Sequence, residues 1–278
     1  MIRFIVDSAV DITQEEARQK GVVLLPLTVN IGGNEFRDGI DISRDEFYSL
    51  LDETGEFPQT SQVTPALYAE EFEKARSVGD EVISLSVSSK LSGTYESALI
   101  ARSMVGEDGI YCVDTLAASY PFAMLLDHAL ALRDEGRSAE EIVEDLKTFR
   151  HRVRMIGALD TLENLMRGGR IPKAAARLGD LAKLKIVVVL DGEGEVGLKA
   201  AVLGRKRAHE AMLKHILSLD IDTSFPVYSL FTSGLKNCEK FESRLREVGI
   251  SFQQRCQVGS AVGAHLGTQA CGLAYVLR

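Results

Sequence analysis

Apolar positions in the first half of the chain fall into two alternating patterns. Short apolar runs at Arg3–Asp7, Val22–Ile31, Glu81–Ser88 and Ile110–Asp114 read as strands. Between them, Arg44–Asp52, Pro65–Val78, Tyr95–Met104 and Ser119–Glu135 carry apolar residues every three or four positions, the spacing of one buried helix face. Alternating strand and helix predict a parallel sheet flanked by helices, because parallel neighbours need a crossover between them. Ser138–Arg150 is a further amphipathic helix, with Ser138 placed to cap it and Glu140 and Glu141 complementing the dipole of its first turn.

The pattern changes after residue 150. Met155–Leu159 is strand-like and Leu162–Arg167 helical, while Lys185–Leu190 and Val196–Val202 flank Asp191-Gly192-Glu193-Gly194-Glu195, which reads as a hairpin turn. A helix over Lys206–Leu219, a strand over Val227–Phe231, a helix over Asn237–Val248 and a strand over Ser251–Gln257 follow. The fold class expected is α/β, with an N-terminal parallel-sheet domain over residues 1–150 and a C-terminal α+β two-layer domain over 151–278.

Charge narrows the function classes. With 32 Lys+Arg against 40 Asp+Glu the net charge is −8, and no basic block offsets it, so a nucleic acid backbone gains no attraction and is not an expected partner. The same charge disfavours lasting adsorption to anionic lipid, leaving at most transient membrane contact. No run of about 18 apolar residues suggests a membrane span. The N-terminus runs straight into strand-like sequence without the basic start and apolar stretch of a signal peptide, so a cytoplasmic location is expected. Cys112, Cys238, Cys256 and Cys271 lack the short paired spacing of a zinc or redox site and read as buried thiols.

Three stretches hold candidate chemistry. Thr60-Ser61-Gln62-Val63-Thr64-Pro65 gathers hydroxyls just outside a helix start, with Thr64 as N-cap and Pro65 at the first helical position. Ser88-Ser89-Lys90-Leu91-Ser92-Gly93-Thr94-Tyr95 carries a strand through a small-residue loop into a helix, and Gly93 permits close approach of a ligand to the backbone. Such a loop suits a small anion; capping the helices is the alternative use of the same hydroxyls. In Leu162-Glu163-Asn164-Leu165-Met166-Arg167-Gly168-Gly169-Arg170-Ile171-Pro172 a helix ends at a glycine pair able to adopt positive φ, and Arg170 follows. Its guanidinium suits either a carboxylate or phosphate, or the open carbonyls of the helix end. His265 lies among small residues in Gly263-Ala264-His265-Leu266-Gly267, as a core histidine or a ligand contact.

Other signatures fail on inspection. Gly192-Glu193-Gly194-Glu195-Val196-Gly197 spells G-x-G-x-x-G, but two glutamates repel a pyrophosphate and strand-like sequence follows where a helix is required. No P-loop or nucleophile elbow occurs, and His209 and His215 are six apart on a helix, hence on different faces. Asp7, Asp11, Asp38, Asp41 and Asp114 offer carboxylates for acid–base work or Mg²⁺, or for hydrogen bonding to loop N–H groups.

Taken together, these motifs resemble the DegV family of bacterial fatty acid binding proteins. The likeness runs along the whole chain: Ile5-Val6-Asp7-Ser8, Arg37-Asp38-Gly39-Ile40-Asp41, Thr60-Ser61-Gln62, Ser88 through Tyr95, Val113-Asp114-Thr115, Gly168-Gly169-Arg170-Ile171 and Gly263-Ala264-His265. Val63, Lys185-Ile186-Val187 and Gly267-Thr268-Gln269-Ala270 depart from its usual pattern. The resemblance implies a non-enzymatic carrier with no cofactor, holding one long-chain fatty acid in a tunnel between two domains and presenting it to a separate fatty acid kinase, whose acyl phosphate product enters phospholipid synthesis. It implies carboxylate contacts from Thr60 and Ser92, with Ser61, Gly93, Thr94, Arg170 and His265 around them. The alternative from the residues alone is a Mg-dependent phosphotransferase or hydrolase acting on a small carboxylate or phosphate ester through Asp7, Asp38 or Asp114. A lipid-sensing interaction domain is a third.

Overall fold

The computed structural model describes residues 1–170 and 184–278. Along the first half run β1 (Ile2–Asp7), α1 (Gln14–Lys20), β2 (Val22–Leu25), β3 (Thr28–Ile31), β4 (Asn34–Arg37), α2 (Arg44–Thr54), β5 (Gln59–Ser61), α3 (Pro65–Ser77), β6 (Glu81–Ser86), α4 (Thr94–Val105), β7 (Ile110–Asp114), α5 (Tyr120–Asp134) and α6 (Ala139–Phe149). The second half adds β8 (Val153–Leu159), α7 (Glu163–Arg167), β9 (Leu184–Leu190), β10 (Val196–Leu203), α8 (Arg205–Ile216), β11 (Tyr228–Phe231), α9 (Leu235–Glu247), β12 (Gln254–Gln257), α10 (Ser260–Leu266) and β13 (Cys271–Val276).

The expected parallel sheet is present, in the order β2-β1-β6-β7 with every pair parallel. Its inner strands are apolar on both faces, as a sheet covered on both sides requires: Phe4, Ile5 and Val6 in β1 and Val82, Ile83 and Leu85 in β6 are buried. Helix starts follow local sequence. Thr13, Ser43 and Ser138 form capping boxes with Glu16, Glu46 and Glu141, and Thr64 caps α3 ahead of Pro65.

The run Val22–Ile31 is two strands in different sheets. Pro26 has no N–H to give a ladder, so β2 ends before it and β3 restarts beyond it in a small antiparallel sheet, β4-β3-β5. That sheet, unanticipated from the sequence, places Thr60 and Ser61 on a strand paired with Val29 and Thr28 rather than in a loop before a helix.

The second half forms a six-stranded mixed sheet, β10-β9-β8-β13-β11-β12, antiparallel except for the β11–β12 pair. The stretch Asp191–Glu195 turns between the antiparallel strands β9 and β10, as expected of a hairpin and not of a dinucleotide loop. Strand alternation divides the two faces. Ile156, Ala158, Leu273 and Tyr275 join a core with Met212, Leu213, Phe241 and Leu245 of α8 and α9. Val153, Ala274 and Val276 point the other way and merge with the core of the first half. The two halves therefore share a buried interface, and the cavity described next lies along it. Cys238, Cys256 and Cys271 are buried free thiols and Cys112 is half-buried. Among the described residues no helix is long and apolar enough to cross a membrane.

Candidate functional site

A cavity of about 380 Å³ opens where the two halves meet. Ala9 and Val87 line it just beyond the carboxyl ends of β1 and β6. These are the neighbouring strands between which the order of the parallel sheet reverses, the usual crevice for ligands in open α/β sheets. The opposite wall is the inner face of the six-stranded sheet, with Met155, Leu159, Val188, Leu190 and Leu230. Most of the lining is aliphatic. Its polar members are Thr60, Ser61 and Gln62 from β5 and the residue after it, Ser92 and Gly93 ahead of α4, Arg170 beyond α7, His265 of α10, and Thr232 just after β11.

Thr60, the middle residue of β5, places Oγ1 3.0 Å from His265 Nε2, joining the strand to the last turn of α10. Burial, reinforced by the positive charge of Arg170, pushes the His265 imidazolium down to about 4. The ring is neutral near pH 7 and carries one proton. On Nε2 that proton is donated to Thr60 Oγ1, leaving the threonine hydroxyl free to donate into the cavity; on Nδ1 it makes Nε2 an acceptor that consumes the hydroxyl. A bound carboxylate selects the first arrangement. Nδ1 is buried with no partner among the described residues.

Gly168 accounts for the ring's position. Its φ of −74° suits any residue, but a Cβ there would run into His265 Nδ1 and lie 2.8 Å from Cε1. Of the glycine pair only Gly169 adopts the positive φ expected, at 73°. Arg170 follows, donating from Nε to Leu91 O at 2.8 Å and from Nη1 to Gly168 O. Both uses considered for this side chain are thus compatible: it closes a helix-end carbonyl, ties the Ser88–Tyr95 loop to the second half, and still faces the cavity. Ile171 and Pro172 of this motif lie outside the described residues.

On the facing loop, Ser92 Oγ is 2.9 Å from Thr94 Oγ1 and accepts from Thr94 N at 3.3 Å. Thr94 is buried behind Ser92 and does not line the cavity, so of the seven residues implicated by sequence it alone stands off the wall. Gly93 is the N-cap of α4 and supplies no side-chain cap, so the helix turns its positive end toward this region. A Cβ on Gly93 would collide with the Gln62 amide, which lies against it and donates to Ser97 Oγ at 2.8 Å. The sequence reading singled out neither Gln62 nor Gly168 as a site residue. The signal for both was steric and needed the partner across space.

The candidate carboxylates are engaged elsewhere. Asp7 accepts from Ala9 N at 3.1 Å and Val87 N at 2.7 Å, and Asp114 from Ser89 N at 3.1 Å and Leu116 N at 3.0 Å, which is strand-end support for the loops around the cavity. Asp41 pairs with Arg37 on the surface. Asp11 and Asp38 are buried beside a second, polar pocket with Arg44. Among the described residues no group of three or more His, Cys, Asp or Glu is arranged to hold a metal ion.

Comparison with known proteins agrees with this architecture. A DegV domain-containing protein of Caldanaerobacter subterraneus subsp. tengcongensis is 34% identical over 274 residues, covering 98% of this chain and 97% of its own. The fatty-acid-binding DegV family protein of Thermus thermophilus superposes with a TM-score of 0.87 at 31% identity, covering 100% of this chain and 99% of that one. DegV of Bacillus subtilis, a fatty acid binding protein, does so with a TM-score of 0.85 at 26% identity, covering 100% and 99%. The family model described as "Uncharacterised protein, DegV family" matches residues 1–278, and the chain belongs to the DegV family.

Proposed function

We propose that this protein binds one long-chain fatty acid, with its tail along the aliphatic cavity and its carboxylate at the Thr60–Ser92 end. The observation that carries the reading is the lining itself: aliphatic over most of its extent, with hydroxyls, a backbone helix start, a neutral imidazole and one guanidinium among the residues of the same cavity. Each methylene removed from water contributes about 0.8 kcal/mol, so the tail supplies affinity. The carboxylate loses its hydration on entering, and preset donors offset that cost. Fatty acid binding by the Thermus thermophilus and Bacillus subtilis relatives supports the same assignment.

Thr60 and Ser92 hydrogen-bond the carboxylate in this reading, Ser61 and Gly93 add hydroxyl or N–H contacts, Thr94 holds Ser92, and His265 and Arg170 complete the polar end. Residues 1–150 and 151–278 act as two domains clasping the ligand. The bound acid stays ionised and serves as nucleophile toward the terminal phosphoryl group of ATP on a docked fatty acid kinase, whose acyl phosphate passes to phospholipid synthesis. The protein itself is a cytoplasmic carrier rather than a catalyst, needs no cofactor, and touches the membrane at most transiently.

Native mass spectrometry of the purified chain tests the first step, with one fatty acid retained per protein expected and a ligand-free or nucleotide-loaded protein refuting it. Thr60→Ala combined with Ser92→Ala should weaken binding about ten-fold or more while the thermal transition stays cooperative, since each lost donor is worth about 1 kcal/mol. Unchanged affinity would sink the head-group assignment. Turnover of ATP by the isolated chain with Mg²⁺ would instead support a phosphotransferase.

A further inference from the structure

Four positions in one row cross the cavity face of the six-stranded sheet. Register pairs Val188 with Gly157, Gly157 with Gly272, and Gly272 with Leu230, and all four line the cavity. Gly157 lies on the inner face of its strand, two residues from Met155 and two from Leu159, while Ile156 and Ala158 between them face the helices of the outer layer. Two adjacent glycines therefore leave a trough between flanking side chains whose strands are about 14 Å apart, three strand spacings.

The two glycines have different causes. A Cβ on Gly272 would sit 2.5 Å from the Ile156 carbonyl oxygen, so the backbone itself demands glycine there. A Cβ on Gly157 would meet only the Cys271 carbonyl oxygen at 3.5 Å, an ordinary contact, and the residue does not have the positive φ that favours glycine. Packing places no demand for glycine at position 157. Glycine in a strand interior weakens the strand, and a side chain there would project into the cavity.

We infer that Gly157 sets the bulk of the acyl chain the cavity accepts, its missing side chain giving lateral room for a bent chain. The inference rests on the fatty acid reading above and extends it to specificity. Valine suits a strand, its Cβ has room at 3.5 Å from the Cys271 carbonyl oxygen, and its methyls add bulk on the trough side.

Delipidated full-length wild type, Gly157→Ala and Gly157→Val, each checked for a cooperative thermal transition, are titrated with stearate and with oleate. The expected result is a graded loss, with Gly157→Val binding oleate about ten-fold more weakly, the equivalent of roughly two methylenes returned to water. The oleate-to-stearate affinity ratio should fall in step, because the kinked chain needs the lateral room. Wild-type affinity for both acids in folded Gly157→Val overturns the inference, and so does an equal loss for both, which would make position 157 merely structural. Should the valine variant not fold, the alanine variant decides by the same ratio. Failure of the wild type to bind either acid refutes the fatty acid reading itself, a result separable from the others.

Discussion

A neutral imidazole beside a guanidinium leaves one positive charge at the polar residues of the cavity, and that charge is partly engaged by backbone carbonyls. His265 adds no charge of its own, because burial keeps it neutral, while its hydrogen bond to Thr60 sets which way the hydroxyl proton points. In the ligand-free protein the His265 ring should titrate near 4, followed by NMR of its Cε1–H signal. A carboxylate in hydrogen-bonding range of Thr60 stabilises the imidazolium, so a saturating fatty acid should move this titration upward. An unmoved titration would place the carboxylate elsewhere. At this scale the sequence was most informative where a motif names a chemical group, as with the hydroxyls of Thr60 and Ser92 and the guanidinium of Arg170. It gave Gln62 no role of its own and read Gly168 as a positive-φ position, whereas what each contributes is the shape presented to Gly93 and His265.

Elements bring those shapes together. The end of α7 and the last turn of α10 approach closely enough that Gly168 has no room for a methyl group against the His265 ring, although its backbone angles would accept one. Gly168→Ala should therefore displace the ring and weaken fatty acid binding with little effect on α7 itself. Removing the ring removes the conflict, so in a double-mutant cycle Gly168→Ala should cost about 1 kcal/mol or more less in a His265→Ala background than in the wild type. Additive effects on binding would show that the two residues do not act through one another. The cores of the parallel sheet and the capped helices α2, α3 and α6 were legible because periodicity and caps are local. Two features were not. The break at Pro26 separates strands whose apolar pattern is continuous, and the fully buried β13, built from Cys271-Gly272-Leu273-Ala274-Tyr275-Val276, is recognisable only once β8 and β11 stand on either side of it.

Over the whole molecule, the junction of the two halves holds buried charge as well as the cavity. Arg44 donates to Asp11 O at 2.6 Å and across the junction to Gln257 O at 2.7 Å, and Tyr48 donates to Val258 O at 3.0 Å. Asp11 accepts from Ser119 in the same cluster, and Asp38 lies buried nearby. Burial drives the Asp11 carboxyl up to about 7 against the opposing pull of Arg44 and the Ser119 hydrogen bond, and it raises Asp38 in the same direction. In the unfolded chain an aspartate ionises near 3.9, so above that pH the folded protein keeps a proton that the unfolded chain has released. The stability this confers is complete below the unfolded value and is lost as pH rises through about 7. His265 acts in the opposite sense: its contribution is present above about 6.5 and is lost as pH falls toward about 4. The two windows overlap, so the wild-type profile alone does not separate them. Asp11→Asn does, because it removes one term and leaves the histidine in place. Between about pH 5 and about pH 8 the variant should gain roughly 1–3 kcal/mol on the wild type in urea unfolding. A difference independent of pH would mean that Asp11 is ionised throughout, its charge held by the neighbouring Arg44.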